Sequence, residues 1–284
     1  MRHSHNLLAS VFDKGRPVAQ LHAEYPHLSV SALQKRVNQL MKTEAGKPRE
    51  YPTSLEASVL VMDGIWYEFK HEYWILYLFL LKGRNGIGYV LDPVILRGKE
   101  SRANWERAIR TIPEHLKKHV RVMVSDNFRS SVIIARKQRW LHQLCHFHLL
   151  AELRRKRGKR KRKTISAKAL REEIYQSIQA ILYVHSKEKV ETLLKRLAVL
   201  AQDLSCPVRL SFTVGEFVRR HRLYRTYLEY PEYDIPTTTN AVESLNKLIR
   251  KHTRYLRTPE AVQLWATVFV RRRKTICCNG NQPN

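Results

Sequence analysis

Three carboxylates stand out by their surroundings: Asp63, Asp126 and Glu243. Asp63 interrupts the apolar run SVLVMDGIW (58–66), and strand periodicity puts Val59, Val61 and Ile65 on its own face. A carboxylate buried there needs a cation, a cluster of donors or an exposed crevice. The competing reading is an Asp63-Gly64 turn, although Ile65-Trp66-Tyr67 continues in strand-like fashion. Asp126 ends VRVMVSD (120–126) and continues the face of Val120, Val122 and Val124. Ligands collect at the carboxyl ends of strands in mixed sheets, but Asp126 with Ser125 and Asn127 would also suit a helix N-cap. Glu243 is the only acid between Ile235 and Pro259, and Lys247, Arg250, Lys251, Arg254 and Arg257 come closely after it. Three residues after Asn240, it could close a capping box.

Taken as a set, the three acids suit a different chemistry. Carboxylates drawn to one sheet edge repel one another and raise their own pKa values unless cations lie between them. Two Mg²⁺ (or Mn²⁺) ions roughly 4 Å apart would relieve that repulsion and stabilise the entering and leaving oxygens of a phosphodiester displacement. Asp92, before a proline, fits a strand kink and is held in reserve; Glu68 and Glu72 flank a hairpin turn, and Asp203 and Asp234 fall near helix ends. Cys145 and His148 form a C-x2-H, half of a zinc site without a convincing second pair, so a packed thiol and a hydrogen-bonded histidine are preferred.

The elements that must position these residues change in character along the chain. Residues 1–50 read as a helical N-terminal segment, separate from the rest of the chain: VAQLHAEYP and LSVSALQKRVNQLMK suggest a helix-turn-helix, with Ser29 or Ser31 as N-cap. GKPREYP (46–52) reads as a linker. Residues 51–150 supply strands at 58–66, 72–81 and 86–96, a helix at 101–113, the strand 120–126, a helix at 128–139 and a fifth strand or strand-to-loop segment at 140–148. Residues 151–235 read as all-helical and contain RRKRGKRKRK (154–163), with nine positive charges in ten positions. Residues 236–284 return to the core with the Glu243 helix and a basic tail. This order predicts an α/β fold: an RNase H-like mixed sheet with a helical insertion before its last helix.

Composition points the same way. The chain has 284 residues, 52 Lys and Arg against 25 Asp and Glu, and a formal net charge of +27. A compact protein so charged repels itself, which makes a polyanion the first expected partner. Nucleic acid fits better than membrane, because the charge is spread through folded segments and the longest apolar run, Tyr73 to Leu81, is far shorter than the roughly 20 residues a spanning helix needs. No secretory signal is read at the N-terminus, and four cysteines, two adjacent, make a poor disulfide framework. The expected setting is cytoplasmic, on the nucleoid. Basic candidates for DNA contact are Arg154, Arg155, Lys156, Arg157, Lys159, Arg160, Lys161, Arg162 and Lys163 in the run, Lys247, Arg250 and Lys251 after Glu243, and Arg271, Arg272 and Arg273 in the RRRK segment ending at Lys274.

TTTNAVESLN around Glu243, SDNFRS around Asp126, VMDGIW around Asp63, and QLCHFH between Asp126 and Glu243 resemble the bacterial insertion-sequence transposases of the Mutator-like superfamily. That resemblance covers roughly residues 55 to 274. It implies a D…D…C-x2-H…E signature on an RNase H-like fold, with Asp63, Asp126 and Glu243 as the metal-binding catalytic triad. Cys145 and His148 match its C-x2-H in a supporting role, and Asn240 and Asn246 would orient Glu243 or touch DNA. The implied activity is metal-dependent cleavage and strand transfer at the ends of an element, on double-stranded DNA, by at least a dimer. Family members usually carry a longer N-terminal DNA-binding region than the roughly 54 residues before the first strand here. Two further readings are a truncated or domesticated non-catalytic DNA-binding relative and a stand-alone RNase H-like nuclease.

Overall fold

A computed structural model describes residues 2–51, 58–83, 86–157, 165–273 and 275–277. Strands β1 (Ser58–Phe69) and β2 (Glu72–Lys82) form a long antiparallel hairpin. It turns through Lys70 and His71, both at positive φ (49° and 65°), the turn sense that matches strand twist. Strands β3 (Ile87–Val90) and β4 (Val94–Arg97) pair with β2 one after the other along its length. The single strand expected over 86–96 is therefore two. Pro93 has no N–H to give the ladder, and Asp92 turns away to meet Arg49 and Arg271.

After helices α4 (Arg102–Arg110) and α5 (Glu114–Lys117), strand β5 (Val120–Ser125) joins β1 in parallel. Helix α6 (Ser131–Gln138) then leads to β6 (Leu141–Leu144), parallel to β5. The sheet order is β6-β5-β1-β2-β3-β7, with β4 beside β2 and β7 (Thr275–Cys277), unexpected from the sequence, on the edge of β3. The segment 140–148 is strand for only four residues, because His146 already begins helix α7 (His146–Arg157).

Strand alternation sorts the core into two layers. Val59, Val61, Ile65, Leu78, Leu80, Val122 and Val124 face helices α3 (Val30–Gly46), α12 (Asn240–Thr253) and α13 (Pro259–Arg273). Leu60, Met62, Tyr77, Phe79 and Met123 face α4 and α6 on the other side. Val120, expected beside Val122 and Val124, lies in the second layer: pairing with β1 slips by a residue between Ser58 and Val59. Helices α7, α8 (Ile165–Tyr183), α9 (Lys187–Gln202) and α10 (Val208–Arg220) share a core of their own around Ile174, Ile178, Leu197 and Phe217. The short α11 (Thr226–Glu229) and the segment up to Asp234 return the chain to the sheet, where buried Lys82 donates to the carbonyl and carboxylate of Asp234.

The N-terminal helices are not set apart. Leu8 and Phe12 of α1 (Arg2–Phe12) and Val37 and Met41 of α3 enter the sheet's own core, while α2 (Val18–Leu21) is a single turn. Ser29, not Ser31, caps α3, its Oγ accepting the Ala32 N–H at 3.1 Å. The burial of an apolar stripe from α3 against α13 outweighs the Pro-containing linker as a guide to organisation.

Candidate functional site

The site is built first by strand register. Val61 of β1 is the partner of Val124 of β5 in the parallel ladder, so two residues further on Asp63 and Asp126 reach the same level of adjacent strands. Asp63 is no turn residue, for β1 runs on to Phe69. Its Oδ1 accepts the Gly64 N–H at 2.8 Å. Gly64 leaves room for close packing: an added Cβ would stand a tight 3.1 Å from Ile75 Cγ2 and in ordinary contact, 3.9 Å, with the Trp105 ring. Asp126 comes directly after β5, and its carboxylate accepts the Phe128 N–H.

Helix α12 supplies the third side. Val242, Leu245 and Ile249 form its buried stripe, and two polar anchors fix its direction. Asn246 Nδ2 donates to Asp63 Oδ2 at 2.5 Å, and Thr253 and Tyr67 hydroxyls meet at 2.7 Å. Seven residues of helix span about 10 Å and four of strand about 13 Å, so α12 runs alongside β1 in the same sense. Glu243 lies one turn before Asn246. The expected capping box with Asn240 is not formed: Thr239 is the N-cap, Asn240 is exposed, and the Thr239 hydroxyl donates to Glu243 Oε1 at 2.8 Å.

The C-x2-H joins the insertion to this helix. Cys145 takes the Thr239 N–H at its sulfur at 3.4 Å, and the His146 N–H donates to the Thr237 carbonyl at 2.8 Å. His148, on the first turn of α7, brings Nδ1 to 3.7 Å from Glu243 Oε1. Cys145, His148 and Glu243 thus form a group whose ligand atoms all lie within 4.8 Å of one another.

A fourth acid escaped the sequence reading. Glu100, just ahead of the N-cap Ser101 of α4, is half-buried and accepts the Trp105 Nε1–H at 2.8 Å. Its charge acts on both aspartates. The available signal was an acid in a Gly-Lys-Glu-Ser turn of a basic chain; nothing local said where it would point.

Electrostatics are set by this crowding. Burial, opposed by the Gly64 N–H and His148 and reinforced by Glu243 and Glu100, pushes Asp63 up to about 6. Burial and the charge of Glu100 push Asp126 up to about 7. Burial alone would lower His148, but hydrogen bonding and charge from Cys145, with Asp126 and Asp63, raise it to about 9. These neighbours favour the protonated form of His148 beside the carboxylates. The carboxylate oxygens of Asp63, Asp126, Glu243 and Glu100 are of the kind that suits a hard divalent cation. So is Asn246 Oδ1, buried and without a hydrogen-bond partner. Among the described residues, however, only Cys145, His148 and Glu243 bring three ligand atoms within 4.8 Å of one another.

The basic candidates divide. Lys247, Arg250 and Lys251 are exposed along α12. Arg154 and Arg155 are exposed on α7, Arg154 bonding the Tyr175 hydroxyl at 3.0 Å, while Lys156 is held by Glu152 and Thr213. Arg157 ends α7. Lys159, Arg160, Lys161, Arg162, Lys163 and Lys274 lie outside the described residues. Arg271 is spent internally on Asp92 at 2.6 Å and on the carbonyls of Glu44 and Lys47, both at 2.8 Å. Arg272 pairs with Asp13, whereas Arg273 is exposed over the Phe269 ring. Among the described residues no helix is long and apolar enough to cross a membrane.

The mixed sheet with its flanking helices and helical insertion is an α/β fold of the RNase H-like kind. It is similar to the chain in a solved "Drosophila P element transposase strand transfer complex", with a TM-score of 0.51 and 10% identity over 97% of this chain and 93% of that one. Residues 84–263 match the model of "Transposase, Mutator family". The chain belongs to that transposase family. The matched stretch includes Asp126, Cys145, His148 and Glu243, and Asp63 precedes it. No curated protein matches the chain.

Proposed function

We propose that the chain is a DDE-type DNA transposase, cutting and joining DNA strands with Asp63, Asp126 and Glu243 as the carboxylates that hold divalent cations. One observation carries the reading. Residues distant in sequence meet at one sheet edge: Asp63 beside Asp126 by strand register, and α12 tied to Asp63 through Asn246. Four acids and an orphaned amide oxygen in a net basic protein are otherwise an unexplained cost.

Mg²⁺ or Mn²⁺, two ions in this reading, would stabilise the charge that develops on the entering and leaving phosphodiester oxygens. The chain's own groups prepare for this. Asn246 and the Gly64 N–H fix the Asp63 carboxylate in orientation. Thr239 and His148 hold Glu243 near the strands, and Cys145 fastens Thr239. In the first reaction water adds to phosphorus and the strand's 3′-oxygen leaves as a hydroxyl. In the second that hydroxyl attacks a target phosphodiester and another 3′-oxygen leaves. The exposed cations of α12 and α7 would track the DNA backbone, and joining two ends calls for at least a dimer.

The test compares cleavage and joining by wild type and Glu243→Gln on a duplex bearing the flanking repeat, with Mg²⁺ or Mn²⁺. DNA binding retained and cutting lost is the expected result. Equal cutting by both would remove Glu243 from the site. A second reading rests on the Cys145–His148–Glu243 group: a structural zinc there would withdraw Glu243 from the chemistry. Stoichiometric zinc in the purified protein would favour it, although displacing the His148 proton handicaps a metal at neutral pH.

A further inference from the structure

We infer that Glu100 is a fourth carboxylate of the cation site, holding charge and a hydrogen-bond acceptor against the two aspartates from the opposite face of the sheet. The inference deepens the reading above and rests on it. Its basis is the way Trp105 joins three parts of the structure. The indole N–H donates to Glu100. The same ring lies against β1 at Gly64, next to Asp63, and stacks on Phe128, two residues past Asp126, at a centroid distance of 5.1 Å. One buried side chain therefore fixes Glu100 relative to the neighbours of both aspartates.

The loop carrying Glu100 is equally constrained. Gly98 adopts φ of 105°, which L side chains rarely take. Asn104 Nδ2 donates to the carbonyls of Arg97 and Lys99, at 3.1 and 3.2 Å. Ser101 caps α4 by accepting the Asn104 N–H at 3.2 Å. Such a clamp is more than a solvated acid needs, and Glu100's charge reaches Asp63, Asp126 and His148. On the α12 side of Asp63, Asn246 Oδ1 offers a further oxygen donor to a cation held there. It belongs to a residue only 7% exposed, has no partner, and shares its amide with the nitrogen bonded to Asp63.

Mn²⁺ binding to the full chain, monitored by the electron paramagnetic resonance signal of free Mn²⁺, tests this. Glu100→Gln keeps an oxygen for the Trp105 N–H and removes the charge. Its Mn²⁺ affinity should fall roughly five- to tenfold, as loss of one charge near a divalent ion at a partly screened site implies, with no fall in unfolding temperature. Asp126→Asn should lose binding altogether. Trp105→Phe keeps an aromatic ring and removes the N–H, and should weaken binding less than Glu100→Gln. If Glu100→Gln binds Mn²⁺ like wild type while Asp126→Asn does not, Glu100 is overturned and the cation site stands. If Trp105→Phe and Glu100→Gln lose affinity equally, Glu100 acts only as a prop for the indole, and the inference fails. If wild type binds no Mn²⁺, the cation reading itself fails and Glu100 with it.

Discussion

Replacing Asp126 by Asn should stabilise the metal-free protein, and by more at high pH than at low. The reason is the cost of ionising a carboxylate where burial and Glu100 oppose it. The folded-state pKa, about 7, lies above the ordinary value of 3.8, so the fold holds the proton more tightly than the unfolded chain. That group's contribution is therefore most favourable below pH 3.8 and declines as pH rises to about 7, after which it is constant. With 1.36 kcal/mol per pH unit, the full shift corresponds to roughly 4 kcal/mol at pH 8 and under roughly 2 at pH 5. Asn cannot accept the Phe128 N–H as strongly as a carboxylate, so the expected gain is roughly 2 to 3 kcal/mol at pH 8. For a chain this long that is roughly 5 to 10 °C in melting temperature. Thermal melts of both proteins in EDTA at pH 5 and pH 8 measure it. Mg²⁺ should then raise the melting temperature of wild type and leave Asp126→Asn unmoved. A variant less stable than wild type at pH 8, or a gain equal at both pH values, would refute the claim that Asp126 is a strained acid awaiting a cation.

Three further outcomes are expected from the same geometry. Asn246→Ala frees Asp63 from its amide donor and should lower metal-dependent cleavage roughly 10- to 100-fold at a stability cost of about 1–2 kcal/mol, read by single-turnover cleavage and by denaturant titration. His148, raised to about 9, favours the fold fully below pH 6.5 and loses that contribution as pH climbs through about 9; His148→Gln should flatten the fall in melting temperature between pH 7 and pH 10. The triple variant Lys247→Gln, Arg250→Gln, Lys251→Gln should reduce the salt slope of DNA binding by roughly 2 to 3, whereas Arg271→Met should leave that slope alone and destabilise the fold by about 1–2 kcal/mol, because Asp92 keeps Arg49 but loses its second guanidinium, and the Glu44 and Lys47 carbonyls lose their donor.

How much of this could be read along the chain depends on the range of the forces involved. Alternation of apolar residues located β1, β2 and β5, because side-chain direction in a strand is a local consequence of backbone geometry. The charge balance called for a polyanion before any fold was known. Asp63, Asp126 and Glu243 were legible since each contradicts its immediate surroundings, an acid in an apolar strand or a lone acid among cations. Where the reading failed, a distant group had intervened. The strand expected over 86–96 divides where Asp92 reaches Arg49 and Arg271. The N-terminal helices look independent until α3 meets α13. Arg271 and Arg272 look like part of a DNA-binding tail until Asp92 and Asp13 claim them.

The site itself shows the division most clearly. Sequence nominated the residues proposed to carry the chemistry and the kind of element on which each stands. Only the tertiary structure decided that Asn246 would meet Asp63 across 183 residues, that His148 would face Glu243, and that Glu100 would turn inward behind Trp105. These meetings are set by sheet register and by which helix face is buried. Both minimise exposed apolar area over the whole molecule, a quantity no short window of sequence contains.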